Sequence, residues 1–472
     1  MGMGVMVEGL IWQPNALFYV FLLICILLPL LVSPSGIASF SSSSPSSSSP
    51  YSRRDCVNSS RSKSTSPFDL YSKDSVRFHR KFLLLFALAS GMEGMWSIFG
   101  EYDFAYFNVG KGDILASMCL GYSISLLCGA FLGCLFDFVG HRKACLIFFI
   151  VHLAIGMWNR ITKYPNKWFA SVLSPIATSI FSCSFESWLV IEHKEQCYRQ
   201  ATLSETLWLM TFVESVMLIG SQAFVNKVVK SNLEHGIPFY STVSILQAII
   251  CIIYLKKGGK ESPSIRDSRV SRVPYMHLFQ DQRVLFLGLA HSCLHFSVAV
   301  FWVLWAPALI ADGRDLNLGM IYPLLMGARM VGSSVFQWLL NSSSSLRTED
   351  CLIYAFVALG IALSIVAYDY QEIGVLVSLF CVFHMGVGFI TPALAKLRAM
   401  NVPDEIRGGM IGLSITPANA LILFLLIQRG YYGSLENSTM VAIAAVCMFI
   451  GCGCVYCLGR KGKLLYQNGH KL

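Results

Sequence analysis

Gly133-Cys134-Leu135-Phe136-Asp137-Phe138-Val139-Gly140-His141-Arg142-Lys143 joins two long apolar runs, residues 113–138 and 143–159, through a connection of a few residues. About 20 helical residues cross a hydrocarbon core of roughly 30 Å, so each run is long enough to span a bilayer. Within the join, Gly140 permits a tight turn and Gly133 allows a close helix approach. Asp137 and Arg142 set opposite charges at one helix end, where they are expected to latch two parts of the molecule in one state. The stretch reads as a charged hairpin between two membrane helices.

Working outward, the same pattern recurs about twelve times, at 82–99, 113–138, 143–159, 168–191, 203–225, 238–255, 284–310, 317–340, 351–368, 372–395, 408–428 and 438–459. The fold class is therefore all-α, a polytopic membrane protein. Its expected organisation is a six-helix half (81–256), a basic central loop (257–283), a second six-helix half (284–460) and a basic tail (461–472). Six spans, a loop and six spans suit two stacked halves around a midplane site. Ahead of them stand a hydrophobic segment (1–33) and a linker (34–80) that is Ser-rich and expected to be disordered. The segment reads as an extra span, a signal peptide or a plastid transit peptide.

The chain is 55% hydrophobic and 13% charged, too apolar for a soluble domain of 472 residues. Its net charge of +9 does not indicate nucleic acid, because the basic residues lie in short connections. With the Ser-rich linker placed in the cytoplasm, 27 of the 36 Lys and Arg fall on that face, 8 on the other, and Arg329 lies within a span. This asymmetry puts both ends of the core in the cytoplasm. Plasma membrane, endomembrane and plastid envelope all remain compatible. The 16 Cys show no metal-finger spacing and behave as small hydrophobes.

The join resembles the signature loop of the major facilitator superfamily, Gly-x-Leu-x-Asp-x-x-Gly-Arg-Arg/Lys, with His141 where the pattern has Arg. Phe185-Glu186-Ser187-Trp188 followed by Glu192-His193 resembles the fourth-span signature of the molybdate-anion transporter family. So do Asp281-Gln282-Arg283-Val284-Leu285 leading to Leu304-Trp305-Ala306-Pro307, Leu318-Gly319 with Gly332-Ser333-Ser334, and Pro392 with Val402-Pro403. The resemblance implies a transporter of an oxyanion such as molybdate. Departures fall at the pocket. Gly91-Met92-Glu93-Gly94 replaces an acidic motif, His295 and His384 replace acids, Ile415 replaces an Arg, and Arg329 stands where the family has a small residue. The scaffold is similar and the pocket is rebuilt.

Ionisable residues in mid-span cost a few kcal/mol to insert and so mark function. Arg329, a permanent cation with a planar fork, is the first candidate for anion binding, with a structural ion pair to Glu93 or Glu214 as the alternative. His295 and His384 are further substrate-binding candidates. Glu93, between two glycines that let a helix unwind, and Glu214 are candidates for proton coupling. Glu186, near the signature loop, is expected to gate as the partner of Arg142, together with Asp137. His291 and His295, four apart with Cys293 close by, could hold a metal; no carboxylate accompanies them on that helix, and no metal site is assigned. No cofactor and no enzyme activity are expected, since no nucleophile triad, phosphate loop or HExxH motif occurs. The expected function is secondary active transport of a small anion by alternating access, with protons as candidate coupling ions, by a monomer in the lipid bilayer. A carrier of metal cations or neutral solutes, and a non-transporting scaffold, are the alternatives.

Overall fold

The computed structural model describes residues 67–106, 111–161, 167–196, 200–231, 233–257, 280–310, 318–341, 347–368, 372–433 and 435–469, with Val20, Leu23, Ile24, Tyr198 and Leu316. Almost all of the N-terminal segment, the Ser-rich stretch up to residue 66 and most of the central loop lie outside them. The described helices are α1 (Pro67–Tyr106), α2 (Lys111–Val139), α3 (His141–Ile161), α4 (Lys167–Glu195), α5 (Gln200–Ser231) and α6 (Leu233–Lys257), then α7 (Gln282–Leu309), α8 (Leu318–Asn341), α9 (Thr348–Tyr368), α10 (Ile373–Asn401), α11 (Arg407–Tyr431) and α12 (Asn437–Gly469).

Among the described residues, nine helices are long and apolar enough to cross a membrane: α2, α3, α5 and α7 to α12. Side chains such as Leu127, Phe131, Ile253, Ile361 and Val446 are exposed on their outer faces. An apolar exterior of that kind is stable only against lipid. The chain is an all-α polytopic membrane protein. Over the described residues α6 is shorter than a full span, and α1 and α4 also fall outside the nine; α1 carries Glu93, and α4 carries six Ser and Thr178. These two helices contribute polar groups to the site described below.

α1 begins at Pro67, well before the expected boundary at 82, and α12 continues to Gly469 through what reads as a tail. The early part of α1 is held by packing. The buried ring of His79 meets Thr206 Oγ1 at 2.8 Å and His193 Nδ1 at 3.3 Å, while Phe82 lies against Trp188.

Packing follows a repeated plan. α1 packs on α5, α2 on α4 and α3 on α6; α7 packs on α11, α8 on α10 and α9 on α12. Two long contacts join these sets, α2 with α11 and α5 with α8. At the first, the backbones nearly touch. A Cβ on Gly133 would lie 2.4 Å from the Gly408 carbonyl oxygen, and one on Gly412 2.5 Å from that of Gly129. Glycines four apart on both helices thus create the approach. Gly140, with φ of 102°, turns α2 directly into α3, and its N–H donates to the Phe136 carbonyl at 2.8 Å.

Candidate functional site

Arg329 projects from α8 toward α5, where its Nη2 donates to Glu214 Oε2 at 2.9 Å. The side chains are 14% and 24% exposed. The Nε of Arg329 is shielded and has no hydrogen-bond partner. His384 on α10 lies within the electrostatic reach of Arg329. Its ring is 1% exposed, packed against Phe301, Trp302 and Phe383, and neither nitrogen has a hydrogen-bond partner. The fold therefore brings Arg329, Glu214 and His384 together from α8, α5 and α10.

Glu93 is held separately. Thr178 Oγ1 of α4 donates to its Oε2 at 2.9 Å, and the buried His152 of α3 places Nε2 3.2 Å from its Oε1. α1 stays helical through this region, so the expected unwinding at Gly91 and Gly94 does not occur. Those glycines instead admit α5: a Cβ on Gly91 would meet Met217 Cε at 2.8 Å, and Ser221 Oγ donates to the Gly91 carbonyl at 3.0 Å. His295 forms a third group, beside Asn419 of α11. Its neighbour His291 meets Ser414 Oγ at 2.7 Å. Among the described residues, no group of three or more His, Cys, Asp or Glu is placed to hold a metal ion.

At the signature-loop end, charged contacts tie α2 and α4 to α10 and α11. Asp137 accepts from the backbone N–H groups of Gly408 at 2.8 Å and Gly409 at 2.7 Å, the first amides of α11, which have no partner within their own helix. His141 Nε2 lies 3.0 Å from the same carboxylate, within the same hairpin and without a hydrogen bond to it. The expected pair of Glu186 with Arg142 does not form. Glu186 takes both Nε and Nη2 of Arg398 on α10, at 2.8 and 2.5 Å, in a bidentate bond. Arg142 instead donates through Nη2 to the Leu255 carbonyl at the end of α6, 2.7 Å away. Gly140 sends the chain straight into α3, which packs on both α4 and α6, and Arg142 reaches the end of α6. Lys194 and the fully buried Arg407 both bind Asp404, at 2.9 and 2.7 Å, and add a contact from α4 to the turn between α10 and α11.

Reading the sequence misses His152, Thr178, Arg398, Lys194 and Asp404. His152 carries the same signal as His384, an ionisable residue in mid-span. Arg398 and Lys194 hide among the basic residues that flank spans, where the positive-inside rule already accounts for them. Thr178 has no signal in sequence at all.

Comparison with known proteins fits this architecture. The family model MFS_5, described as sugar transporters with 12 TM, matches residues 59–387. The molybdate-anion transporter of Xenopus tropicalis is 23% identical over 380 residues, covering 77% of this chain and 80% of the relative. That of Danio rerio is 21% identical over 438 residues, covering 84% and 90%. Among solved structures, a bacterial homologue of the iron transporter ferroportin, in an outward-facing state, superposes with a TM-score of 0.64 at 14% identity, over 81% of this chain and 99% of that one. The E. coli fucose:proton symporter gives a TM-score of 0.57 at 12% identity, over the same shares. The chain belongs to the major facilitator superfamily, within the twelve-span family this model describes, as a distant homologue of the molybdate-anion transporters and a secondary transporter that moves a small solute by alternating access.

Proposed function

We propose that the solute is a small oxygen-bearing anion, that Arg329 is the cation that takes it, and that Glu214 is the group it displaces. The pair between Arg329 and Glu214 across α5 and α8 carries this reading. A guanidinium stays charged and offers a planar fork to two oxygens. The carboxylate of Glu214 holds that fork in the empty protein, so the buried cation is never left alone, which would be costly. An arriving anion takes over the fork. Glu214, left beside a second negative charge, is neutralised by a proton. Anion and proton then cross together. His384 supplies a further donor to the anion's oxygens, and Glu93, held by His152 and Thr178, is a second proton-bearing group.

The matched pairing of α1–α6 and α7–α12 supports two six-helix halves that rock about this midplane. Asp137, Glu186 and Arg398 close the signature-loop end, which the positive-inside count puts in the cytoplasm. Molybdate is the anion suggested by the name of the curated relatives.

The test is uptake into proteoliposomes of molybdate, sulfate, ferrous iron and fucose, with and without a pH gradient. The expected result is anion uptake that Arg329→Ala lowers at least tenfold, in line with about 1.5–3 kcal/mol for a charge-assisted hydrogen bond. Glu214→Gln and Glu93→Gln retain downhill flux and reduce the response to the pH gradient. Anion flux unchanged in Arg329→Ala overturns the site, and selective uptake of iron or fucose overturns the anion reading.

A further inference from the structure

We propose that the anion taken at Arg329 is an organic carboxylate with a flat, unsaturated body, and that Trp302, Tyr322 and His384 form the wall that recognises that body. The inference rests on Arg329 being the anion site. Tyr322 and Arg329 are seven residues apart on α8, two turns along one face, or about 10 Å at the helical rise. That is about the reach of a six-membered ring with its carboxylate and a contact at each end. Trp302 of α7 sits across from them, its ring 5.6 Å from Tyr322 and 5.1 Å from His384. Those rings are tilted at 43° and 55°, and Trp305 packs on both Trp302 and Tyr322, at 5.9 and 6.4 Å, in the same tilted or edge-on manner. Phe301 meets the imidazole edge-on at 4.6 Å, beside Trp302. Trp302 and Tyr322 are only partly buried, unlike Phe301 and Trp305 behind them.

Both nitrogens of His384 and the Nε of Arg329 are buried without hydrogen-bond partners. Unmatched buried polar atoms are costly, and the Arg329 Nε–H and the one N–H of a neutral imidazole point to an acceptor that arrives during function. A carboxylate meets the Arg329 fork with two oxygens while its ring lies offset on Trp302 and Tyr322. A compact inorganic oxyanion, hydrated on all sides, gains nothing from those ring faces and loses water against them.

The test measures binding to the purified full chain by titration calorimetry, with benzoate, cyclohexanecarboxylate, molybdate, sulfate and fucose as probes. Benzoate is expected to bind best. Trp302→Leu and Tyr322→Leu each weaken it about three- to tenfold, the range of aromatic pair energies, and Trp302→Phe restores most of the loss, which separates recognition from misfolding. Cyclohexanecarboxylate binding as tightly as benzoate overturns the flat-body assignment. Molybdate or sulfate binding best, dependent on Arg329 and indifferent to Trp302→Leu, overturns the carboxylate inference while the anion reading stands. Binding of fucose alone, or of no anion, overturns the anion reading itself.

Discussion

Replacing Asp137 by Ala removes a carboxylate that accepts two backbone hydrogen bonds from the start of α11, at 2.8 and 2.7 Å. The side chain is 1% exposed, so solvent screens these bonds little. A hydrogen bond to a charged group contributes about 1.5–3 kcal/mol net, so the two together hold this end closed by about 3–6 kcal/mol. The favourable field of the α11 terminus acts in the same direction. Loss of even 3 kcal/mol shifts a two-state equilibrium by about two orders of magnitude. Asp137→Asn keeps one acceptor oxygen without the charge and is expected to fall between wild type and Ala. The assay is a distance distribution by double electron–electron resonance between spin labels at Lys143 and Glu405, both exposed at this end. Wild type should give one short-distance population, Asp137→Ala a dominant longer one, and Asp137→Asn a mixture. An unchanged distribution in Asp137→Ala would refute the latch, because two buried charge-assisted bonds cannot vanish without cost if they hold the closed state.

Two further outcomes test the same interface. Gly133→Ala forces a Cβ to 2.4 Å from the Gly408 carbonyl oxygen, and the backbone shift it demands should cost about 1–3 kcal/mol and lower the thermal midpoint in detergent; an unaltered midpoint would show that α2 and α11 are not packed this closely. Breaking the pair of Glu186 with Arg398 by Glu186→Gln alone should cost about 3–5 kcal/mol, because Arg398 is left buried and uncompensated, whereas Glu186→Gln with Arg398→Met, compared with Arg398→Met alone, should recover much of it. Independent, additive effects in that cycle would rule out a direct pair.

The twelve helices and their membrane setting were legible in sequence, because a bilayer makes one demand on every span and about 20 apolar residues meet it. α1 and α4 carry, within runs of that kind, the polar groups Glu93 and Thr178 that meet each other. The signature loop was readable too, since Gly133, Asp137 and Gly140 act within one turn and its immediate contact. Composition and spacing also picked out Arg329, Glu214, Glu93 and His384 as rare polar groups in lipid. Their partners were another matter. Whether Arg329 meets Glu93 or Glu214 depends on α8 lying against α5, and whether Glu186 meets Arg142 or Arg398 depends on how the ends of α4 and α10 meet. Those pairs join residues more than a hundred positions apart. The pattern along a chain reports how each helix meets its solvent, and only packing in three dimensions decides which helix faces which and therefore which charge answers which.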